Sequence, residues 1–379
     1  MLLVIQEALR NGKQMISEGK LEFDIAWDGR RIVGAGIHSS RPVFASRVLE
    51  GQPVAEALKR VPLLFSVCGR AQAMAAAAAC DAARGLRAGE AVQQARERAL
   101  AGECLQEYGW RLLIDLPMLL GEPSRPGELA DLRRRIAAAD DAFKWRSVAT
   151  AAEELLERAV FDMPPEAWLK LRPAALEKWL AKGAAPAPRM LARLRRLHLG
   201  GEFGLLPWLE EAHLPGLAAA MDADAAFVAR PTFQGQPAET GALARQRAHP
   251  AIQREIAQHG ATAAARLLAR LLELAQLPAQ LRDPAAQGIR SAAPHPGTGI
   301  AAVETARGTL LHRVDLAEGR VVRYRILAPT EWNFHPDGAF VRGLIGCPAK
   351  SETEARGAAG LLAHALDPCV SIETRVRRA

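Results

Sequence analysis

Glu304-Thr305-Ala306-Arg307-Gly308 opens a stretch that runs on as Thr309-Leu-Leu-His-Arg-Val-Asp315 and turns through Ala317-Glu-Gly319. It returns as Val321-Val-Arg-Tyr-Arg-Ile-Leu327 and ends in Ala328-Pro329-Thr330-Glu331-Trp332-Asn333. Two segments rich in apolar and β-branched residues, joined by a short turn containing Gly, read as a β-hairpin. A second hairpin is read near the other end of the chain. There Leu21-Glu-Phe-Asp-Ile-Ala-Trp27 alternates apolar with polar residues, Asp28-Gly29 follows, and Arg31-Ile-Val-Gly-Ala-Gly-Ile37 continues the pattern. Asp-Gly between such segments is a strong hairpin signal, because the turn needs left-handed backbone that Gly adopts freely. The hairpins, about 20–38 and 309–327, are expected to share one small accessory sheet, which would draw the ends of the chain together.

Between the hairpins the periodicity is helical. Ala71–Ala83 is Ala-rich and of high helix propensity. Gly89–Leu120 is one long periodic segment ending around Asp115-Leu-Pro117, and helices are expected at Glu128–Ala138, Val148–Arg158, Pro173–Ala181, Arg189–Leu197, Pro250–Leu274 and Ser351–Ala365. Loops rich in Pro and Gly separate them, notably Gly121–Gly127 and Pro294–Gly297. The expected fold class is mainly α with a small β-sheet (α+β), the whole chain 1–379 forming a single domain with a helical core.

At 379 residues, 49% of them apolar, the chain can bury a large core. No apolar run approaches the roughly 20 residues a membrane helix needs. The start, Met1-Leu-Leu-Val-Ile-Gln-Glu7, has neither a basic leader nor a long apolar stretch. A soluble, cytoplasmic protein without a membrane partner is therefore expected. The net charge of +7 comes from Lys and Arg spread along the chain and mixed with Asp and Glu, with only Arg375-Val-Arg377-Arg378 clustered. A dispersed excess lacks the basic face that nucleic-acid binding requires. Five cysteines, an odd number in so long a chain, suggest reduced thiols rather than a disulfide framework.

The bland reading of a lone Cys is a small buried hydrophobe, and it suits Cys80, Cys104 and Cys347. Cys68 differs: Gly69 follows it and a helix is expected to begin just after, where the dipole would lower a thiol's pKa. Cys369 follows Asp367-Pro368 at the expected end of a helix, on backbone stiffened by the proline. Glu103, Glu107, Arg111 and Asp115 stand four apart and read as a ladder of ion pairs on one helical face.

Cys68-Gly69, Glu304–Gly308, Ala328–Asn333 and Asp367–Cys369, in this order, resemble the catalytic subunit of nickel–iron hydrogenases. That family carries C-G-x-C with a His four residues on, and D-P-C-x-x-C-x-x-H near its end. Here Ala71, Ala75, Ile372 and Arg375 replace the second cysteines and the histidines, so each pair keeps only its first cysteine. A bridged nickel–iron centre cannot be built from that set, and nickel is not expected. The two remaining thiolates still favour a soft metal. Glu18-Gly19-Lys20 resembles the family's E-G-H, but without hydrogen chemistry Glu18 is expected to be solvated or ion-paired.

From about Glu18 to Cys369 the chain is similar to HupK/HoxV-type hydrogenase maturation proteins, diverged relatives of the hydrogenase large subunit. The resemblance implies a large-subunit-like fold and a non-catalytic carrier of an Fe(CN)2(CO) unit, held transiently before transfer to the large subunit. It implies Cys68 and Cys369 as metal ligands. It also implies Arg307, Pro329 and Thr330 as a cofactor-binding pocket in which guanidinium and hydroxyl donate to the cyanide nitrogens. Implied partners are maturation chaperones of the HypC/HypD type and the hydrogenase large subunit. The alternative reading is an interaction protein that binds those partners without iron, and a true redox enzyme is disfavoured by the missing thiolates. Roughly 122–290 carries no interpretable motif.

Overall fold

A computed structural model describes residues 19–42, 44–65, 67–285 and 288–379. Glu18 and the segment Met1–Glu7 lie outside the described residues. Both hairpins form where the sequence places them: β1 (Lys20–Trp27) with β2 (Ile32–Ser39), and β5 (Gly308–Ala317) with β6 (Arg320–Leu327), each antiparallel. Glu318 and Gly319, both at positive φ, close the second through a two-residue turn of the hand that matches strand twist.

The hairpins do not share a sheet, which corrects the sequence expectation. β1 and β2 belong to a three-stranded sheet of order β2-β1-β7, whose third member, β7 (Ser371–Arg378), runs parallel to β1 from Lys20↔Ser371 to Trp27↔Arg378. β5 and β6 belong to an antiparallel meander with β3 (Ile289–His295) and β4 (Thr298–Thr305). β7 fills the open side of β1 and β4 the open side of β5, while β2 and β6 remain the outer strands of separate sheets. The ends of the chain still meet, through β7 rather than through the second hairpin.

β4 is buried on both faces. Ala301 and Val303 pack with the helix Gly69–Ala83, while Ile300 and Ala302 pack with Leu214, Leu217 and Met221 of the helix Leu214–Ala223. The Ala-rich helix can approach this closely because its sheet-facing residues, such as Ala75 and Ala79, are small, and β4 answers with Gly299. A Cβ added at Gly299 would stand 1.9 Å from the Ala79 carbonyl oxygen. The helix is thereby fixed on the sheet, and with it Cys68 at its N-terminal boundary.

The remaining core is helical. The helix Ala263–Arg282 is buried nearly all round, as a central helix must be. It is separate from Pro250–His259, because Gly260 (φ +80°) and the extended Thr262 break the chain where one helix over Pro250–Leu274 was expected. The long segment read over Gly89–Leu120 is a helix over Glu90–Trp110, a π-helical turn at Arg111–Asp115 and a short helix at Leu116–Leu119. No helix among the described residues is long and apolar enough to cross a membrane.

Candidate functional site

Cys68 and Cys369 converge. Both line one pocket, with Arg41, Glu331 and an apolar wall that includes Phe65, Ile326, Ala328 and Val370. Each sulfur is brought there by a fixed element. Cys68 is the N-cap residue of the helix Gly69–Ala83, whose first free amides, those of Arg70 and Ala71, donate to the two oxygens of Glu103 at 2.8 and 3.1 Å. Cys369 follows Asp367, which ends the helix Glu352–Leu366 in left-handed backbone (φ +57°) and is clamped by Arg111. Arg111 Nε donates to Asp367 Oδ1 at 2.8 Å and its Nη2 to the Pro368 carbonyl at 3.0 Å. Two residues beyond Cys369, β7 begins and pins the segment to β1.

The expected ladder of ion pairs is therefore largely taken apart, and only Arg111–Asp115 persists as a pair along the segment. Glu103 caps the cysteine-bearing helix, and Glu107 receives Arg307 Nη2 at 2.7 Å. The π-helical turn shifts the spacing, and burial rewards contacts across the core over contacts along a surface.

Arg307 sits in the two-residue turn between β4 and β5, a turn that Gly308 permits at φ +134°. It is buried, pairs with Glu107, and its Nε stands 3.4 Å from Asp367 Oδ1. Burial works against its charge, but Asp367, Glu107 and the two sulfurs outweigh that and raise its proton affinity. Arg307 is thus paired in the core, outside the residues that line the cysteine pocket. Asn333 fixes this turn by donating from Nδ2 to the Arg307 and Leu366 carbonyls. Asp367 carries the compensating charge: burial would raise its pKa, yet Arg111, Arg307 and Arg270 hold it well below the usual carboxylate range.

Thr330 is fully buried in the short helix Pro329–Asn333, which Pro329 opens at its first turn. Its Oγ1 lies 3.1 Å from Cys369 Sγ and accepts the Cys369 amide at 3.3 Å, so its hydroxyl holds the sulfur in place. Pro329 sits one residue behind the wall, which Ala328 supplies.

Cys68 departs from its expected electrostatics. The helix dipole was expected to lower its pKa, but burial, with Cys369 and Glu103 adding to it, pushes the thiol up to about 12. Desolvation of a buried thiolate exceeds what the end of one helix returns. Glu103, buried in turn, is raised to about 7 despite its two amide bonds.

Two residues at the site were not read from the sequence. Arg41, in the loop after β2, donates from Nη1 to Cys369 Sγ at 2.9 Å and from Nε to Glu331 Oε1 at 2.6 Å. Burial opposes its charge, but the Glu331 carboxylate and the Cys369 sulfur more than restore it. The second is Glu331, within Ala328–Asn333. Its Oε2 is buried without a hydrogen-bond partner. The donor set at the pocket is two sulfurs and one carboxylate, and no group of three or more His, Cys, Asp or Glu is gathered closely enough to hold a metal ion among the described residues. Cys80 and Cys347 are buried, and Cys104 lines a separate polar cleft with Tyr108, Arg245 and Glu273. All five thiols are free.

Residues 254–374 match the family model of nickel-dependent hydrogenases. The hydrogenase expression/formation protein HupK of Azotobacter vinelandii is 35% identical over 94% of this chain and 98% of its own length. The hydrogenase expression/formation protein HoxV of Cupriavidus necator is 33% identical over 88% of this chain and 91% of its own. Among solved structures, the reduced nickel–iron–selenium hydrogenase of Desulfomicrobium baculatum has a TM-score of 0.62 at 16% identity, covering 91% of this chain and 95% of that one, a likeness of fold.

Proposed function

The chain belongs to the HupK/HoxV family of hydrogenase expression/formation proteins, and from that premise we propose that it acts in hydrogenase maturation as a non-catalytic carrier of an Fe(CN)2(CO) unit. The iron unit is cargo, received from maturation chaperones of the HypC/HypD type and passed to the hydrogenase large subunit. The observation that carries this reading is the meeting of Cys68 and Cys369, far apart in sequence, in one pocket with Thr330 bonded to one sulfur.

Cys68 and Cys369 would ligate the iron as thiolates, Cys68 giving up its proton on loading. For Cys68, pushed up to about 12, that proton is costly to remove, which keeps the bond reversible, as delivery requires. Thr330 orients the Cys369 sulfur, Arg307 supplies positive charge toward cyanide, and the apolar wall keeps water from the carbonyl side. Nickel is not part of the reading, since two thiolates stand where a bridged centre needs four.

An infrared spectrum of the chain produced together with the maturation machinery tests the proposal. Cyanide and carbonyl stretches are expected, and they should vanish in Cys68→Ser and in Cys369→Ser. Bands unchanged by both substitutions reject the assignment. A second reading is an interaction protein that binds the same partners and carries no iron. Full hydrogenase maturation in cells carrying the double Ser variant would select it.

A further inference from the structure

A pocket with two cysteines invites any thiophilic cation. Zinc, copper and nickel bind thiolates more tightly than bare iron does, so affinity alone would fill such a pocket wrongly. The surroundings of Cys369 show a device against this. One guanidinium, Arg41, holds both Cys369 Sγ and Glu331 Oε1, at 2.9 and 2.6 Å. Its side chain is 11% exposed and that of Glu331 is 7% exposed, so the pair is set in the wall rather than waving over the mouth.

Without Arg41, the Cys369 sulfur and the Glu331 carboxylate, whose Oε2 already lacks a partner, would both stand open in the pocket that Cys68 also lines. With Arg41 in place, both groups are occupied. A cation bonded to Cys369 at the usual metal–sulfur distance would also lie within about 5 Å of the guanidinium, where like charges repel. Arg307 does not do the same, since it pairs with Glu107 and Asp367 and bonds neither Cys369 nor Glu331.

We propose that Arg41 is a specificity-determining residue: it masks Cys369 and Glu331 against bare divalent cations and admits cargo whose charge is already neutralised by anionic ligands. The inference deepens the carrier reading and rests on it for the identity of the cargo. An iron(II) ion carrying two cyanides and a carbonyl is neutral, so the repulsion largely disappears. It needs few protein donors, and its cyanide nitrogens accept hydrogen bonds, so Nη1, released from Cys369 Sγ, gains a new acceptor. Glu331 keeps Nε throughout and anchors the mask.

The test is a titration of the full-length, reduced chain with Co2+ under anaerobic conditions, read by thiolate-to-cobalt charge-transfer absorbance. Arg41→Gln is expected to bind Co2+ at least about tenfold more tightly than the unsubstituted chain. The gain should disappear when Cys369→Ser is added. Arg41→Lys keeps a charge but cannot hold both groups, and is expected to gain about threefold, which serves if the Gln variant does not fold. Affinity unchanged in both variants, or a gain that survives Cys369→Ser, overturns the mask. Infrared spectra of the same proteins separate the two ideas. A gain in Arg41→Gln without cyanide or carbonyl bands in any preparation keeps the mask and removes the carrier. Bands present without any gain remove the mask alone.

Discussion

Asp367 is the residue on which most of the site's charge balances. It is buried, at 1% exposure, and faces Arg111 at 2.8 Å, Arg307 at 3.4 Å and Arg270 at 3.7 Å. Removing its charge leaves the buried Arg307 and Arg270 and the half-buried Arg111 short of a partner, so Asp367→Asn is expected to cost about 3–5 kcal/mol in urea unfolding. His312 supplies a pH dependence. Its ring nitrogens meet Tyr324 Oη at 2.8 Å and Gln72 Oε1 at 2.7 Å, and burial lowers its pKa to about 3 from an ordinary 6.5. Between those values the unfolded chain binds a proton that the folded chain refuses. Stability from this group is thus complete above about pH 6.5 and falls by roughly 1.4 kcal/mol per unit as pH drops toward 3. His364, also lowered to about 3, adds in the same sense. Glu103, raised to about 7, opposes both, because its contribution is full below the unfolded carboxylate range and lost as pH rises through 7. Urea midpoints at pH 4 and pH 7 should lie closer together in His312→Gln than in the parent, and equal gaps would contradict the assignment. At this scale the motif residues were legible, since Cys68, Cys369, Arg307 and Thr330 sit in short sequence motifs. Arg41 was not: a single Arg after a strand, in an Arg-rich chain, carries no signal until the fold sets it against a sulfur.

Elements decide whether those residues meet. The helix Gly69–Ala83 lies on β4 with nothing between Ala79 and Gly299, so Gly299→Ala must push the helix off the sheet and Cys68 with it. A cost of about 1–3 kcal/mol is expected in urea unfolding, along with weaker cyanide and carbonyl bands in the loaded protein. Unfolding and band intensities unchanged from the parent would show that the helix can move without consequence. The two hairpins were readable because alternation and an Asp-Gly or Glu-Gly turn are local signals. β4 was not readable, because a strand covered on both faces shows a run of small apolar residues without alternation. β7 reads as a basic terminus, its alternating charges masking a strand that forms only by pairing with β1. Helical periodicity also ran through Gly260, whose left-handed backbone ends one helix three residues before the next begins.

Over the whole molecule, the site is a joint between chain ends. Cys68 rides on a helix packed against the meander, and Cys369 is held between the helix Glu352–Leu366 and β7. A cargo bridging them binds only the folded chain, so loading to 100 times the dissociation constant should add about 2.7 kcal/mol of stability. An unfolding temperature a few degrees higher for loaded than for empty protein is expected, and no shift would mean that the two sulfurs do not share the ligand. The convergence of the ends was foreseen from the hairpins and is real, but the strand that produces it is β7, which lies beyond both hairpins. Pairing of distant strands is set by which edges remain open after packing, and no local pattern records that. The central claim is tested most directly by X-ray absorption at the iron edge of anaerobically prepared, loaded protein. Two sulfur neighbours and three light-atom neighbours per iron are predicted, with one sulfur lost in each of Cys68→Ser and Cys369→Ser. Iron without sulfur neighbours, or with both retained in either variant, would contradict it.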